Sequence, residues 1–170
     1  MRGWRSIFAF FAGRATAADH PRAHERTVMH KLLLAIDGSE SASHALEYAL
    51  KLAKENGPIE LHLLTVHPEP VIYGEIQVYV PRERMEELQR KHSEDILRPA
   101  LERAKTANIS HTSEILIGEI APMIVKRAEE LNCDCIVMGT RGMGAIGNLV
   151  LGSVATKVVH LTKLPVTLVK

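Results

Sequence analysis

Cys135-Ile136-Val137-Met138-Gly139-Thr140-Arg141-Gly142 runs from an apolar stretch into a glycine-studded loop, and after nine further residues comes Gly152-Ser153. A strand that empties into such a loop and then into the start of a helix is one way to build a phosphate site. Glycines let the backbone take positive φ and come close to a ligand. The free N–H groups that open the next helix supply donors at the positive end of its dipole. Ser153 adds a hydroxyl.

The rest of the chain reads outward from this loop as strands alternating with helices. Before Asp37-Gly38-Ser39 the residues from His30 to Ile36 form a short continuous apolar run, as expected of a strand buried on both faces. Ser39 or Ser41 is placed to cap a helix running to about Asn56, with Ala42, Ala45, Leu46, Ala49 and Ala53 inward and Gly57-Pro58 ending it. A second strand is expected over Ile59 to Val66, then a long loop from Pro68 to Pro81 of the kind that is commonly functional. A charged helix from about Arg82 to Ala107 should kink or restart at Pro99. Ile109 to Ile117 predicts a third strand, ending at Gly118, and the next helix carries Ile120, Ile124, Ala128 and Leu131 on one face. Pro122 is acceptable there because it falls in the first turn. Asp134 to Met138 is the fourth strand, Ser153 to about Leu161 a short helix, and Val166 to Val169 the fifth strand. The pattern predicts an α/β domain with a parallel sheet and helices on both faces. Neither the Asp-Gly-Ser segment nor the glycine loop recurs, which argues against a tandem repeat.

Composition narrows the function classes. A chain of 170 residues with 46% hydrophobic content suits one folded domain, here expected over residues 29–170. Twenty-one basic against twenty acidic residues and 4% aromatics give neither a nucleic-acid face nor stacking platforms. No apolar stretch approaches the roughly 18–20 residues needed to cross a bilayer, so no membrane association is expected. Cys133 and Cys135 lie too close in one strand to bridge comfortably and read as core thiols of a reducing compartment. Residues 1–28 differ in character. Met1-Arg2-Gly3-Trp4-Arg5, the apolar piece Ile7 to Ala12 and Ala15-Thr16-Ala17 have the outline of a signal peptide with a short apolar core. The other reading is a disordered or adventitious leader, with the functional chain starting near Met29.

In an open parallel sheet, ligands sit beyond the carboxyl ends of the strands where the strand order reverses. If the first and fourth strands are neighbours, Asp37-Gly38-Ser39 and the glycine loop line one crevice. A carboxylate beside phosphate is repelled by about 1 kcal/mol even in a water-like dielectric. Asp37 is therefore expected to face ribose hydroxyls or a magnesium ion, or else simply to serve backbone donors where the helix begins. Gly142-Met143-Gly144-Ala145-Ile146-Gly147 satisfies G-x-G-x-x-G, but no acidic residue follows about 20 positions later, so a dinucleotide site is disfavoured. Gly147 to Gly152 has a P-loop gap with Ser153-Val154 where lysine should stand.

The longer pattern, Val137-Met138-Gly139-Thr140-Arg141-Gly142 with Leu151-Gly152-Ser153-Val154, resembles the nucleotide motif of the universal stress protein family. That motif is G-x2-G-x9-G-[ST], and every fixed position and both gaps are matched. Leu33 to Ser39 and Leu164 to Val169 are similar to that family's first and last strands. The resemblance spans about Met29 to Lys170. It implies an adenine nucleotide alpha hydrolase-like fold with five parallel strands in the order 3-2-1-4-5, counted along the chain. It further implies a cytoplasmic protein of stress physiology that binds ATP or AMP, with Mg2+, and forms homodimers through the last strand. Carried over by position, Asp37 contacts the ribose or adenine side, Val66 the base, and Ala35 lines the adenine pocket. Gly139, Gly142, Gly152 and Ser153 hold phosphates. Val154 continues the helix start, Met138 precedes the first glycine, and Arg141 either reaches a phosphate or is solvated.

The remaining polar residues suggest no chemistry. His44, His62, His67 and His160 fall singly on separate elements, so no metal ligands are assigned. Ser153 lacks a G-x-S-x-G elbow, and neither an arginine finger nor a general base is identifiable, so no catalytic residues are assigned. The leading expectation is a nucleotide-dependent regulatory module acting on a partner protein that the sequence does not identify. A slow ATPase or phosphotransferase using the same site, and a scaffold that binds no nucleotide, are the alternatives.

Overall fold

The computed structural model describes residues 8–10, 29–69, 82–144 and 151–170. In chain order the elements are β1 (Phe8–Phe10), β2 (Lys31–Ala35), α1 (Glu40–Glu55), β3 (Glu60–His67), α2 (Arg82–Thr106), β4 (His111–Ile117), α3 (Ile120–Glu130), β5 (Cys135–Gly139), α4 (Ser153–Leu161) and β6 (Val166–Val169). Strands β2 to β6 are the five expected from the sequence. They pair in parallel in the order β4-β3-β2-β5-β6, which is 3-2-1-4-5 once the short leader strand is set aside.

The sheet is covered on both faces because its strands alternate two apolar sets. Leu32, Leu34, Leu61, Leu63, Cys135 and Val137 point to the side where α1 and α2 bring Ala45, Ala49, Leu97, Ala100 and Ala104. Leu33, Leu64, Ile136, Met138, Val166 and Leu168 meet Ala121, Ile124, Ala128, Ala155 and Val158 from α3 and α4 on the other. The alanine-rich inner face of α1 lets that helix lie close to β5. Asp134 ties strand ends together by accepting from the backbone N–H groups of His30 and Lys31, at 2.7 and 2.8 Å.

Three features depart from the sequence reading. Helix α2 continues from Arg82 to Thr106 with Pro99 inside it, so of the expected kink or restart the restart does not occur. Long helices absorb one missing hydrogen bond when the surrounding turns are held by contacts, here Leu97 and Ala100 against the core. Within the leader, Phe8, Ala9 and Phe10 pair antiparallel with Leu168, Thr167 and Val166, adding a sixth strand to the β6 edge. Finally, among the described residues positive φ occurs at Gly38, Gly57 and Gly118 and at Asn108 and Asn132, but at none of the glycines between Gly139 and Gly152. Gly139 and Gly142 serve close approach instead. The rest of the leader, residues 70–81 of the long loop and residues 145–150 of the glycine loop lie outside the described residues.

Candidate functional site

Because β2 and β5 are parallel neighbours, the loops that leave them open side by side. Helix α1 then covers one face and α4 the other, so the crevice forms at the reversal of strand order. It is a cleft of about 940 Å3. All ten residues singled out from the sequence line it: Ala35, Asp37, Val66, Met138, Gly139, Arg141, Gly142, Gly152, Ser153 and Val154.

Backbone proximity organises the loop end of the cleft. One Asp37 oxygen accepts from the Ser39 N–H at 3.0 Å, the turn-stabilising role open to it from sequence. The other faces the glycine loop, where a Cβ on Gly142 would stand 2.6 Å from Oδ2. Gly142 is thus glycine so that this loop can pass the carboxylate. Gly139 answers a different demand. A Cβ there would lie 2.5 Å from Ser41 Oγ and 2.8 and 2.9 Å from backbone atoms of Ser41 and Ala42, so its hydrogen lets the start of α1 rest on the end of β5.

Two serines that sequence reading treated only as caps also clasp the glycine loop. Ser39 accepts from the Ala42 N–H at 3.1 Å, capping α1, and its hydroxyl lies 3.3 Å from the Arg141 carbonyl oxygen, to which it donates. Ser41 donates to the same carbonyl. The signal was present in Ser39-Glu40-Ser41, but it required knowing that the two loops meet. On the far side of the loop, the Gly152 N–H donates to the Thr140 carbonyl at 2.7 Å, fixing where α4 begins. Gly152 is the N-cap of α4 and brings no capping side chain, which leaves the first N–H groups of the helix for another acceptor. Thr140 is 9% exposed, and its hydroxyl has no hydrogen-bond partner among the described residues.

Between the two ends the lining is apolar, with Ile36, Val66, Ile96, Ile120 and Ile124. The opposite end comes from His67, the last residue of β3, and His92 of α2. Their ring centroids are 5.8 Å apart, and both line the cleft. Burial, with a smaller contribution from His92, pushes the His67 pKa below its ordinary 6.5, and its Nε2 is buried with no partner among the described residues. Sequence reading placed His67 alone on its element. It missed the pair because the partner is 25 residues later, on a helix whose rotation sequence does not fix.

Elsewhere on β3 an imidazole is held differently. His62 lies 2.9 Å from the Thr112 hydroxyl through Nδ1 and 3.3 Å from Glu114 through Nε2, and Arg127 donates to Glu114 at 2.5 Å. Burial lowers the His62 pKa against the opposing pull of Glu114. Cys133 and Cys135 are buried and free, and burial raises the Cys133 pKa to about 11, so both are core thiols. Among the described residues no group of three His, Cys, Asp or Glu side chains is arranged to hold a metal ion. No helix among them is long and apolar enough to cross a membrane.

A parallel five-stranded sheet with helices on both faces and a glycine-lined cleft at its strand-order reversal defines an open, doubly wound α/β protein. Residues 29–170 match the family model described as the universal stress protein family. The chain is 35% identical to universal stress protein YxiE of Bacillus subtilis over 149 residues, covering 84% of this chain and all of that one. Among solved structures, protein MJ0577 superimposes with a TM-score of 0.74 at 26% identity, covering 84% of this chain and 96% of that one. A universal stress protein family member from Arabidopsis thaliana, solved with AMP bound, gives a TM-score of 0.58 at 19% identity, covering 83% and 91%. The chain belongs to the universal stress protein family.

Proposed function

We propose that this chain is an ATP-binding regulatory module of the cytoplasm, whose partner affinity or shape changes with nucleotide occupancy. The observation that carries the reading is the single cleft in which the Asp37 carboxylate, the Gly142 passage and the uncapped start of α4 surround one end of an apolar channel. AMP in the Arabidopsis relative supports the same ligand class.

The residues fit such a ligand. Among the described residues no side chain caps the α4 N–H groups and the Thr140 hydroxyl is unpartnered; with the Ser153 hydroxyl they offer donors that suit phosphate oxygens. Asp37 sits close enough to that loop to repel bare phosphate; its carboxylate would help hold a Mg2+ ion, which would offset the phosphate charge, or would meet ribose hydroxyls instead. Ala35, Val66 and Met138 offer the base an apolar bed. Bound nucleotide would stabilise its holding state by about 2.7 kcal/mol at a hundredfold excess over its dissociation constant.

Equilibrium binding of ATP, AMP and NAD to the purified protein tests the reading, and retention of a copurifying adenine nucleotide identified by mass is the quickest form. Millimolar ATP that leaves the protein unliganded removes the proposal. Phosphate release followed over hours separates holding from turnover.

Homodimers through the last strand belong to the same proposal, with a condition set by this chain. Phe8–Phe10 occupies the outer edge of β6, so pairing of β6 with a second copy requires that strand to leave. The two uses of the edge are geometrically equivalent, because a two-fold axis pairs a strand with its own copy antiparallel.

A further inference from the structure

We propose that His67 and His92 read the edge of the nucleotide base, making them specificity-determining residues at the end of the cleft opposite the glycine loop. The proposal deepens the nucleotide reading and rests on it.

The two imidazoles meet from different elements at 5.8 Å with their planes tilted by 58°, on the lining of the same cleft as Asp37 and Ser153. Buried ring nitrogens ordinarily find partners; on the same strand the His62 Nδ1 lies 2.9 Å from the Thr112 hydroxyl, while its Nε2 stands 3.3 Å from the Glu114 carboxylate without a hydrogen bond. The His67 Nε2 is likewise buried without a hydrogen-bond partner, and among the described residues no carboxylate stands beside it as Glu114 stands beside His62. Of the buried side-chain polar atoms left unpaired among those residues, the Thr140 hydroxyl and the His67 ring nitrogen both belong to cleft-lining residues, one at each end. A ligand with an anionic end and a flat heteroaromatic end would supply partners for both. The isoleucines between them would cover the ring faces, leaving only its edge to be recognised by polar groups.

Chemistry favours the base edge over a second anion. Asp95 lines the same wall, and its carboxylate opposes an anion there even while paired with Arg98. Burial keeps His67 neutral near pH 7, so it presents one donor and one acceptor rather than a positive charge. An amino group or ring nitrogen of a purine matches that; a phosphate does not.

The experiment measures dissociation constants of the full chain for ATP, GTP and inorganic tripolyphosphate, in the wild type and in His67→Phe, His67→Gln and His92→Phe. The proposal expects His67→Phe to weaken ATP by about 3- to 10-fold, the loss of one hydrogen bond. Tripolyphosphate affinity should stay within about twofold, the ATP to GTP preference should shrink, and glutamine, which keeps a donor and an acceptor, should recover much of the loss. Unaltered ATP affinity and base preference in both phenylalanine variants overturns the inference while leaving nucleotide binding intact. Equal weakening of ATP and tripolyphosphate also overturns it, as the sign of a merely structural role. His92 is exposed on α2, so its variant keeps the question answerable if His67→Phe fails to fold. A wild-type protein that takes no ATP condemns the nucleotide reading itself.

Discussion

At one end of the cleft Asp37, Gly139 and Gly142 meet because two parallel strands end side by side. At the other, His67 and His92 meet because α2 happens to lie across β3 with one particular rotation. The first end is built of backbone: glycines that let chain pass chain, serines that clasp a carbonyl, and a helix start without a side-chain cap. The second is built of side chains on elements held by the core. Backbone sites tolerate little change, because a neighbouring main chain cannot swing aside as a side chain can. Side-chain sites are adjustable, which is where selectivity among similar ligands can be tuned.

Substitutions at the loop end should therefore have the larger effects. Gly139→Ala places a methyl group against the backbone of Ser41 and Ala42, and we expect about 1–3 kcal/mol of lost stability, read as a lower urea midpoint with an unchanged slope. A midpoint equal to wild type would show that α1 is free to retreat. The Cβ that Gly142→Val adds meets, among the described residues, the Asp37 carboxylate alone, so the fold should survive while ATP affinity falls by about tenfold or more, about 1.4 kcal/mol. Calorimetry showing full affinity in that variant would mean that Asp37 and the loop do not act together.

The imidazoles of β3 set a smaller, pH-dependent difference. His62 and His67 both have folded pKa values below the ordinary 6.5, so the unfolded chain takes up protons first as the solution is acidified. Their contribution to stability is complete above about pH 6.5 and is lost as pH falls through the lower folded values. Unfolding midpoints should decline from pH 7.5 to 5.5, with a shallower decline in His62→Gln; an identical decline in that variant would assign the effect to other groups. The smallest expected change concerns the sheet edge. A chain beginning at Met29 exposes the β6 edge that Phe8–Phe10 covers, and light scattering should find more dimer than in the full chain. Equal masses would break the link between the leader strand and the edge.

Much of the loop end was legible in the sequence, since a glycine needed for close approach has no substitute and its spacing along one chain is fixed. Gly139 and Gly142 nevertheless have separate reasons that the motif alone does not distinguish: one faces the backbone of α1, the other a carboxylate. Ser39 was readable as a cap from its position before α1, but its second bond, to a carbonyl 102 residues away, was not. The pairing of His67 with His92 left no periodic trace, because a ring–ring contact across a strand and a helix depends on the helix's rotation and not on any local pattern.

The sequence by itself determined the alternation of strands and helices, the two apolar sets that cover the sheet, and the late glycine pattern, because each follows from local periodicity and backbone sterics. Only the tertiary structure decided which edge the leader strand occupies, which carbonyl the two serines hold, and which helix faces His67. Those are long-range choices, made when the chain finds the arrangement that buries the most apolar surface while leaving its polar groups partnered.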